Sequence, residues 1–162
     1  MSAPEITPGL VVREAHTLTD IAAARALIVE YQQSLGVDLE FQHFTLEVAS
    51  LPGEYTPPGG ALLLVYVDGV ATGCVGVRRF DASCCEMKRL YVRPTVRRCG
   101  AGRTLATQAL AHARALGYAR MLLDTLPSMG GAQALYQSLG FRDVSPYRDN
   151  PVPGTRYLAL EL

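Results

Sequence analysis

The stretch VRPTVRRCGAGRTLATQAL, Val92 to Leu110, runs from an apolar, strand-like segment into a helix-like one. Its centre, Arg97 to Gly102, places arginines and glycines at the N-terminus of the predicted helix. A helix N-terminus exposes unpartnered backbone N–H groups and carries a partial positive charge. Glycines let a ligand approach that backbone, and arginines add full charges that suit phosphate. The stretch therefore predicts an anion site, most naturally for phosphate.

Two familiar phosphate loops do not match this stretch. The dinucleotide fingerprint GxGxxG fails because Gly100 and Gly102 are present but the third glycine is missing. The P-loop fails because the chain has no Gly-Lys-Ser/Thr. The pattern that fits is Arg-x-x-Gly-x-Gly, Arg97 to Gly102, after a strand and before a helix.

The rest of the chain predicts an α/β domain in the order βααβββαβαββ, one mixed sheet with helices on its faces. Thr19 or Asp20 is expected to cap the first helix, and Asp68-Gly69 is a strong hairpin turn. The strand–helix–strand unit at 86–125 is expected to be a parallel, right-handed crossover. The predicted elements are strand Gly9–Ala15, helices Thr17–Gly36 and Phe41–Ala49, the two hairpin strands, strand Cys85–Val92, helix Gly100–Leu116, strand 118–126, helix 130–140, and strands 142–147 and 156–162.

Composition limits the class of protein. The chain has 162 residues, which fits a single domain spanning 1–162, and 49% hydrophobic and 19% charged residues are typical of a globular protein. Zero formal net charge argues against a nucleic-acid partner. We expect no signal peptide in Met1 to Leu10, and no run reaches the roughly 18 apolar residues of a membrane span. We therefore expect a cytoplasmic protein with no membrane partner.

The sequence offers no metal site. Cys74, Cys84, Cys85 and Cys99 show no CxxC spacing and no neighbouring histidine cluster, so we expect free thiols and no metal. The three histidines are scattered and belong to no metal or triad pattern.

Two blocks resemble the GNAT superfamily of acyl-CoA-dependent N-acyltransferases. LYVRPTVRRCGAGRTL resembles the family's cofactor motif, [Q/R]-x-x-G-x-[G/A] after a strand that ends in hydrophobic-x-Val. AQALYQSLGF, Ala132 to Phe141, resembles its A-x-x-L-Y-x-x-x-G-F segment. The resemblance is specific over Cys85–Phe141 and implies a GNAT fold. That fold has a central, mostly antiparallel mixed sheet of about seven strands, flanked by about four helices.

The resemblance implies acetyl-CoA as co-substrate. Backbone N–H groups of residues 98–103 would hold its pyrophosphate, and Arg97 and Arg98 would add charge. The strand end Leu90-Tyr91-Val92 would splay from the next strand and pair with the pantetheine amides. Cys99 is unusual at its position: it is either a tolerated small residue or a thiolate able to form a mixed disulfide with CoA. The implied cofactor-binding residues are Leu90, Tyr91, Val92, Arg97, Arg98, Cys99, Gly100, Ala101, Gly102 and Arg103.

The implied reaction is direct attack of a neutral amine on the thioester. Tyr136 matches the family's tyrosine and is the candidate general acid for the leaving thiolate; otherwise it is a core tyrosine. Glu86 resembles the base of the histone-modifying branch, with water as the alternative base. Otherwise Glu86 is an exposed strand carboxylate paired with Lys88 or Arg78.

The expected acceptor is a small-molecule amine, and the sequence resembles a common bacterial type of the family. Tyr147, Arg148, Asn150 and Arg156 are candidate contacts for its carboxylate or another anionic group, although the two arginines are equally consistent with solvated loop charges. Two alternatives stay open: a CoA-binding sensor or regulatory module with reduced catalysis, and a protein lysine or N-terminal acetyltransferase. A homodimer is possible because this fold often dimerises.

Overall fold

The computed structural model describes residues 9–162, with every side chain in that range except that of Arg98. One seven-stranded sheet has the strand order β1-β2-β3-β4-β5-β7-β6. In chain order the elements are β1 Leu10–Glu14, α1 Leu18–Leu35, α2 Phe44–Ala49, β2 Ala61–Val67, β3 Val70–Arg79, β4 Cys84–Val92, α3 Ala101–Ala115, β5 Arg120–Thr125, α4 Gly130–Ser138, β6 Arg142–Asp143 and β7 Arg156–Glu161. The predicted order βααβββαβαββ is confirmed.

Helix α1 begins one residue after Thr17, whose hydroxyl accepts a hydrogen bond from the backbone N–H of Asp20 at 3.0 Å. The prediction of Thr19 or Asp20 as the cap is therefore wrong, because both lie inside the helix. Gly36 ends α1 with φ +64°, the left-handed conformation that glycine adopts without strain.

The second predicted helix is divided in two. A 3₁₀ turn covers Glu40–Gln42, and α2 begins only at Phe44. His43 lies between them with φ +56°, a left-handed conformation that interrupts the helical hydrogen-bond pattern. The turn thereby becomes a separate piece of chain that brings Gln42 toward the site described below.

The sheet is antiparallel except between β4 and β5, which run parallel and are joined through α3. The expected parallel arrangement is confirmed, as is the Asp68-Gly69 hairpin between β2 and β3. Strand β6 was predicted to reach Tyr147, but it ends at Asp143. Val144 makes one more hydrogen bond to Tyr157, and Pro146, which has no N–H, cannot extend the ladder.

Both faces of the sheet are covered by helices. Alternate residues of β2 divide between the two faces, with Leu63 and Val65 on one side and Leu62 and Leu64 on the other. Helix α3 packs its apolar stripe on the first face, and α1 covers the second. No helix in residues 9–162 combines the length and apolarity needed to cross a bilayer. The expected absence of a signal peptide concerns mainly residues 1–8, which lie outside the described residues.

The two central strands separate partway along their length. Strands β4 and β5 pair only from Cys84 to Glu86 on β4, opposite residues 120–122. Farther along β4 the register with β3 shifts, and Arg89 there has φ +62°. Such an irregularity bends a strand. The resulting opening between β4 and β5 confirms the splay implied by the family resemblance, and it positions the candidate site.

Candidate active site

Three spaces lie along the splay. At one end, the loop cleft has a volume of about 610 Å³ and lies between the end of β4, the loop before α3 and the start of α4. At the other end, the arginine cavity has a volume of about 750 Å³ and is bounded by α2, the end of β3 and residues 148–149. Between them lies a narrow gap of about 30 Å³, room for about one water molecule. The gap shares Gln42 with the arginine cavity, and Tyr31 and Leu90 with the loop cleft.

The loop cleft is built around the start of α3. A 3₁₀ turn, Pro94–Cys99, leads to Gly100 at φ +84°. The backbone N–H of Thr104 bonds to the carbonyl of Gly100, so the preceding N–H groups of the first turn lack a helical partner. Those N–H groups form the kind of helix end that binds phosphate.

The space at Gly102 fits a ligand that approaches the backbone. Gly102 lines the cleft, and a Cβ built there would come no closer than 3.8 Å to another residue. A longer side chain at 102 would extend into space that a ligand needs. The Arg97 Nε donates to the carbonyl of Val92 at 2.9 Å, which fixes this arginine at the cleft wall while its outer nitrogens stay available. These residues fit the diphosphate end of a CoA thioester.

Most of the predicted cofactor residues meet at this cleft. Ala101 is fully buried and faces the core, so only its backbone is available to a ligand. The Cys99 thiol is half-buried and donates to the carbonyl of Val96 at 2.8 Å. The side chain of Arg98 lies outside the described part of the chain. The predicted residues that line the cleft are Leu90, Tyr91, Val92, Arg97, Gly100, Gly102 and Arg103.

The gap contains a buried ion pair. Lys88 Nζ donates to Gln42 Oε1 at 3.1 Å and to Asp124 Oδ1 at 3.4 Å, and both charged side chains are more than 90% buried. Asn150 Nδ2 donates to the other Asp124 oxygen at 3.2 Å. Continuing the register of β4 and β5 by two residues places Lys88 opposite Asp124, just beyond the last paired rung at Glu86.

Burial acts on both partners of this pair. It lowers the pKa of Lys88, because the ammonium loses its water, and the nearby Asp124 carboxylate only partly compensates. Burial alone would raise the pKa of Asp124, but Lys88 and Asn150 outweigh it and hold that pKa below its usual value. The proton on Lys88 is therefore bound less firmly than on an exposed lysine.

Tyr136 lies at the same gap. It is buried, packs edge-on against Phe141 with ring centroids 5.7 Å apart, and lines the gap beside Asp124. Burial raises the pKa of its phenol, so the hydroxyl keeps its proton at neutral pH. A protonated hydroxyl at this place is available as a donor.

Glu86 is fully buried, so the alternative that it is an exposed strand carboxylate is wrong, whereas the pairing with Arg78 in that alternative is confirmed. Its Oε1 accepts from Arg78 Nε at 3.1 Å and from Arg148 Nη2 at 2.9 Å. Its Oε2 accepts from the Tyr147 hydroxyl at 2.9 Å, and Lys88 Nζ lies 4.0 Å from the same oxygen. Together these contacts join β3, β4 and the segment before β7.

Arg148 is only partly paired in the wall of the arginine cavity. Only its Nη2 has a partner, and its buried Nε–H has none among the described residues. Its guanidinium lies 5.5 Å from the ring centroid of Phe80, which holds it against an aromatic face. By contrast, Arg78 in the same wall contacts Glu47, Glu54 and Glu86.

The predicted acceptor residues separate into two groups. Tyr147, Arg148 and Asn150 come together around Glu86 and Asp124. Arg156 instead makes a two-pronged contact with Asp143 and a hydrogen bond to Gln133, and it lines none of the three spaces. Strand β7 carries it to the other side of β5, so we leave it out of the acceptor site.

The pair in the gap was not predicted from the sequence, which indicated Lys88 only as a structural partner of Glu86 and did not point to Asp124 or Gln42. One signal was available: of the 15 lysines and arginines in the chain, Lys88 is the only lysine. The partners of Lys88 lie 36 and 46 residues away, and no local pattern connects them.

Comparison with solved structures agrees with this architecture. An acetyltransferase of Streptococcus agalactiae superposes with a TM-score of 0.79 at 18% identity, covering 95% of this chain and 99% of that one. An acetyltransferase of Salmonella typhimurium, solved with its cofactor acetyl-CoA, has a TM-score of 0.69 at 20% identity, covering 94% and 93%. At these identities the likeness shows the fold.

Sequence relatives establish the family. An uncharacterized N-acetyltransferase of Schizosaccharomyces pombe is 41% identical over 145 residues, which are 88% of this chain and 89% of the relative. The N-acetylaspartate synthetase of Danio rerio is 29% identical over 155 residues, 93% of this chain but 55% of that longer protein. The family model described as Acetyltransferase (GNAT) family matches residues 22–141. This chain therefore belongs to the GNAT family of acetyltransferases, acyltransferases that use acetyl-CoA.

Proposed function

We propose that this protein, acting as one domain, transfers the acetyl group of acetyl-CoA to the primary amine of a small, amino-acid-like acceptor by direct attack. The observation that carries the proposal is the row of three spaces. The gap shares lining residues with both large spaces, so a donor in the loop cleft and an acceptor in the arginine cavity would meet there. Both substrates then occupy the protein together, which fits a ternary complex better than a covalent acetyl-enzyme.

On the donor side, the unpartnered N–H groups at the start of α3 and the outer nitrogens of Arg97 would hold the diphosphate. The unpaired edge of β4, from Leu90 to Val92, would align the pantetheine arm toward the gap. When bound, acetyl-CoA supplies an activated acetyl group as a thioester. This division of work follows the family resemblance, and the lining of the loop cleft supports it.

On the acceptor side, Arg148 would bind a carboxylate. Its side chain is 33% exposed, its Nη1 makes no hydrogen bond to the described residues, and the Phe80 ring holds the guanidinium in the wall of the cavity. The name of the Danio rerio relative, N-acetylaspartate synthetase, indicates an amino-acid acceptor for that protein. The same class of acceptor for this chain agrees with Arg148, and Tyr147 and Asn150 complete the wall around it.

For the chemistry, Tyr136 would donate its proton to the leaving thiolate. Its raised pKa keeps that proton in place until a strongly basic group forms nearby. Glu86, directly or through water, was the base expected from the sequence. Arg78, Arg148 and Tyr147 all donate hydrogen bonds to its carboxylate, so in this arrangement Glu86 better suits orienting Arg148 and Tyr147. A second candidate for the base is argued below.

The two alternatives receive less support. A protein acetyltransferase with an acidic acceptor groove receives less support, because Glu47 and Glu54 in the cavity wall are paired with Arg78. A sensor without catalysis would not need a buried tyrosine and a buried ion pair where the two large spaces meet. We also propose the cytoplasm as the working location, in keeping with the four free cysteines. A homodimer remains a prediction.

The test is a panel of amines with acetyl-CoA, including L-aspartate, L-glutamate, neutral amino acids, polyamines and peptides. Mass spectrometry of the acetylated product avoids background from the thiols of the protein. We expect product with at least one carboxylate-bearing amine and none with the Gly102→Glu variant. Acetyl-CoA binding without product from any amine would contradict the enzyme and favour the sensor.

A further inference from the structure

We propose that Lys88 is the catalytic base that takes the proton from the acceptor's ammonium group. This inference rests on the proposed function and deepens it. Lys88 is the only lysine among 15 lysines and arginines, and its ammonium lies in the gap that connects the loop cleft with the arginine cavity. Any amine that reaches the donor from the arginine cavity passes this side chain.

The choice of lysine here needs a reason. Elsewhere in this site the chain binds carboxylates with arginine: Arg78 holds Glu86, and the neighbouring Arg89 holds Glu47 with two hydrogen bonds. Arginine is better suited to purely structural pairs, because its planar guanidinium donates two hydrogen bonds to one carboxylate and always stays charged. Only lysine can release its proton and become an acceptor. At the junction of the two large spaces, the chain therefore has Lys88, a cation that can lose its proton, where an arginine would stay charged.

The surroundings of Lys88 hold it in place without saturating it. Gln42, from the turn before α2, accepts one hydrogen bond, and Asp124 of β5 accepts a longer one at 3.4 Å. Glu86 on the same strand lies 4.0 Å away. An ammonium has three N–H donors, and two of them have hydrogen-bond partners among the described residues, so the third position on Nζ is not taken.

Charged groups act on Lys88 from several elements. Asp124 and Glu86 favour its charged form, while Arg89 of β4 and Arg78 of β3 oppose it. Together with burial, the net direction is a lowered pKa, toward the range in which a base works at neutral pH.

The other titratable groups lining the gap suit the base role less well. Burial raises the pKa of Tyr31 to about 12 and raises that of Tyr136, and the pKa of Asp124 is lowered. A phenol with a raised pKa keeps its proton, and a carboxylate with a lowered pKa accepts one poorly. Among these side chains, Lys88 is therefore the best matched to an amine.

The proton balance is simple. In the reactive form Lys88 is neutral, and the acceptor enters as an ammonium. One N–H bond of the acceptor breaks, a new N–H bond forms at Lys88 Nζ, and the electron pair left on the acceptor nitrogen becomes the nucleophile. As the N–C bond forms and the C–S bond breaks, Tyr136 gives its phenolic proton to the leaving thiolate. The nitrogen then loses its second proton, which restores the phenol of Tyr136, and its third proton stays on the amide. Lys88 returns its proton to water.

The first experiment measures the Lys88 pKa without any acceptor. In protein labelled with ¹³C at lysine Cε, a single lysine gives a single signal. We expect it to titrate below the ordinary value of about 10.4. Asp124→Asn, which removes a charge that stabilises the ammonium, should lower that pKa further. Arg114→Lys adds an exposed reference lysine on α3. A Lys88 that titrates with or above this reference would overturn the proposal.

The second experiment uses the acceptor found in the amine panel. Lys88→Arg keeps the charge and the partners but cannot act as a base, so we expect kcat to fall by about 100-fold or more with unchanged acetyl-CoA affinity. Lys88→Met should lose as much, and Asp124→Asn should move the acidic limb of the pH–kcat profile to lower pH. Arg114→Lys should leave the rate unchanged.

The outcomes separate the two proposals. Activity of Lys88→Arg within about threefold of the parent would overturn the base role and leave the acetyltransferase intact. Stoichiometric acetylation of Lys88 itself, seen by mass spectrometry, would overturn it as well, since an amide nitrogen is no base. No product from any amine with the unaltered protein would overturn both proposals.

Discussion

The loop cleft and the arginine cavity differ in how the chain builds them. One wall of the loop cleft comes from a single continuous stretch, Leu90 to Arg103, and the groups proposed to hold the diphosphate are mainly backbone N–H groups at the start of α3. The arginine cavity collects side chains from Phe41 to Asp149, and its charges are largely paired with one another. A site made of backbone is encoded locally, whereas a site made of paired side chains depends on the whole fold.

The two sites also differ in how much a substitution disturbs them. Backbone N–H groups at a helix end are fixed by the helix, so they bind an anion without reorganising. The charges around Glu86 and Asp124 are buried, and removing one partner leaves another charge unpaired. Substitutions in the loop cleft should therefore act mainly on acetyl-CoA, and those across the gap on the acceptor and the rate.

The largest effect is expected from Gly102→Glu. Its carboxylate would enter the loop cleft and repel the diphosphate, so acetyl-CoA binding should weaken by at least about 100-fold, or about 2.7 kcal/mol. Isothermal titration calorimetry measures this directly, with Arg148→Gln as a control that should bind acetyl-CoA normally. Unchanged affinity of Gly102→Glu would contradict the assignment of the cleft.

A loss of rate without a loss of binding is expected from Tyr136→Phe. Removing one hydroxyl takes away the proposed acid, so kcat should fall by about 100-fold. The ring still packs against Phe141, which should preserve both the fold and acetyl-CoA affinity. Steady-state kinetics with the identified acceptor, together with calorimetry, measure the two quantities. Equal kcat values for the two proteins would remove Tyr136 from the mechanism.

A smaller effect, confined to acceptor binding, is expected from Arg148→Gln. Loss of a charged hydrogen bond to the acceptor should raise the acceptor KM by about tenfold, with little change in the KM for acetyl-CoA. Arg156→Gln is the matched control, because Arg156 lies on the same C-terminal segment but pairs with Asp143 outside the three spaces. If both variants behave alike, Arg148 has no specific role at the acceptor.

The smallest effect is expected from Cys99→Ser. The Cys99 thiol bonds to the carbonyl of Val96, and a serine hydroxyl can make the same contact. If the loop cleft works through its backbone, acetyl-CoA affinity should change by no more than about twofold. A larger loss, or a mixed disulfide between Cys99 and CoA in the parent protein, would assign the thiol a role of its own.

Much of the fold was predictable because its signals are local. The hairpin at Asp68-Gly69, the parallel β4–β5 unit and the element order were all expected from turn residues and hydrophobic spacing. The errors arose where a single residue changed the backbone. His43 divides the second helix, and Pro146 ends β6 early.

The sequence by itself determined the loop cleft and the family, because a strand end, two glycines and a helix start form one continuous motif. It also pointed to Tyr136 through a second continuous motif. Only the tertiary structure decided that Glu86 is buried and hydrogen-bonded to two arginines, and that Lys88 faces Asp124 in the gap. These contacts join residues dozens of positions apart, and they form because β4 and β5 separate just beyond Glu86. The direction in which two strands diverge depends on the packing of the whole sheet, which no local pattern encodes.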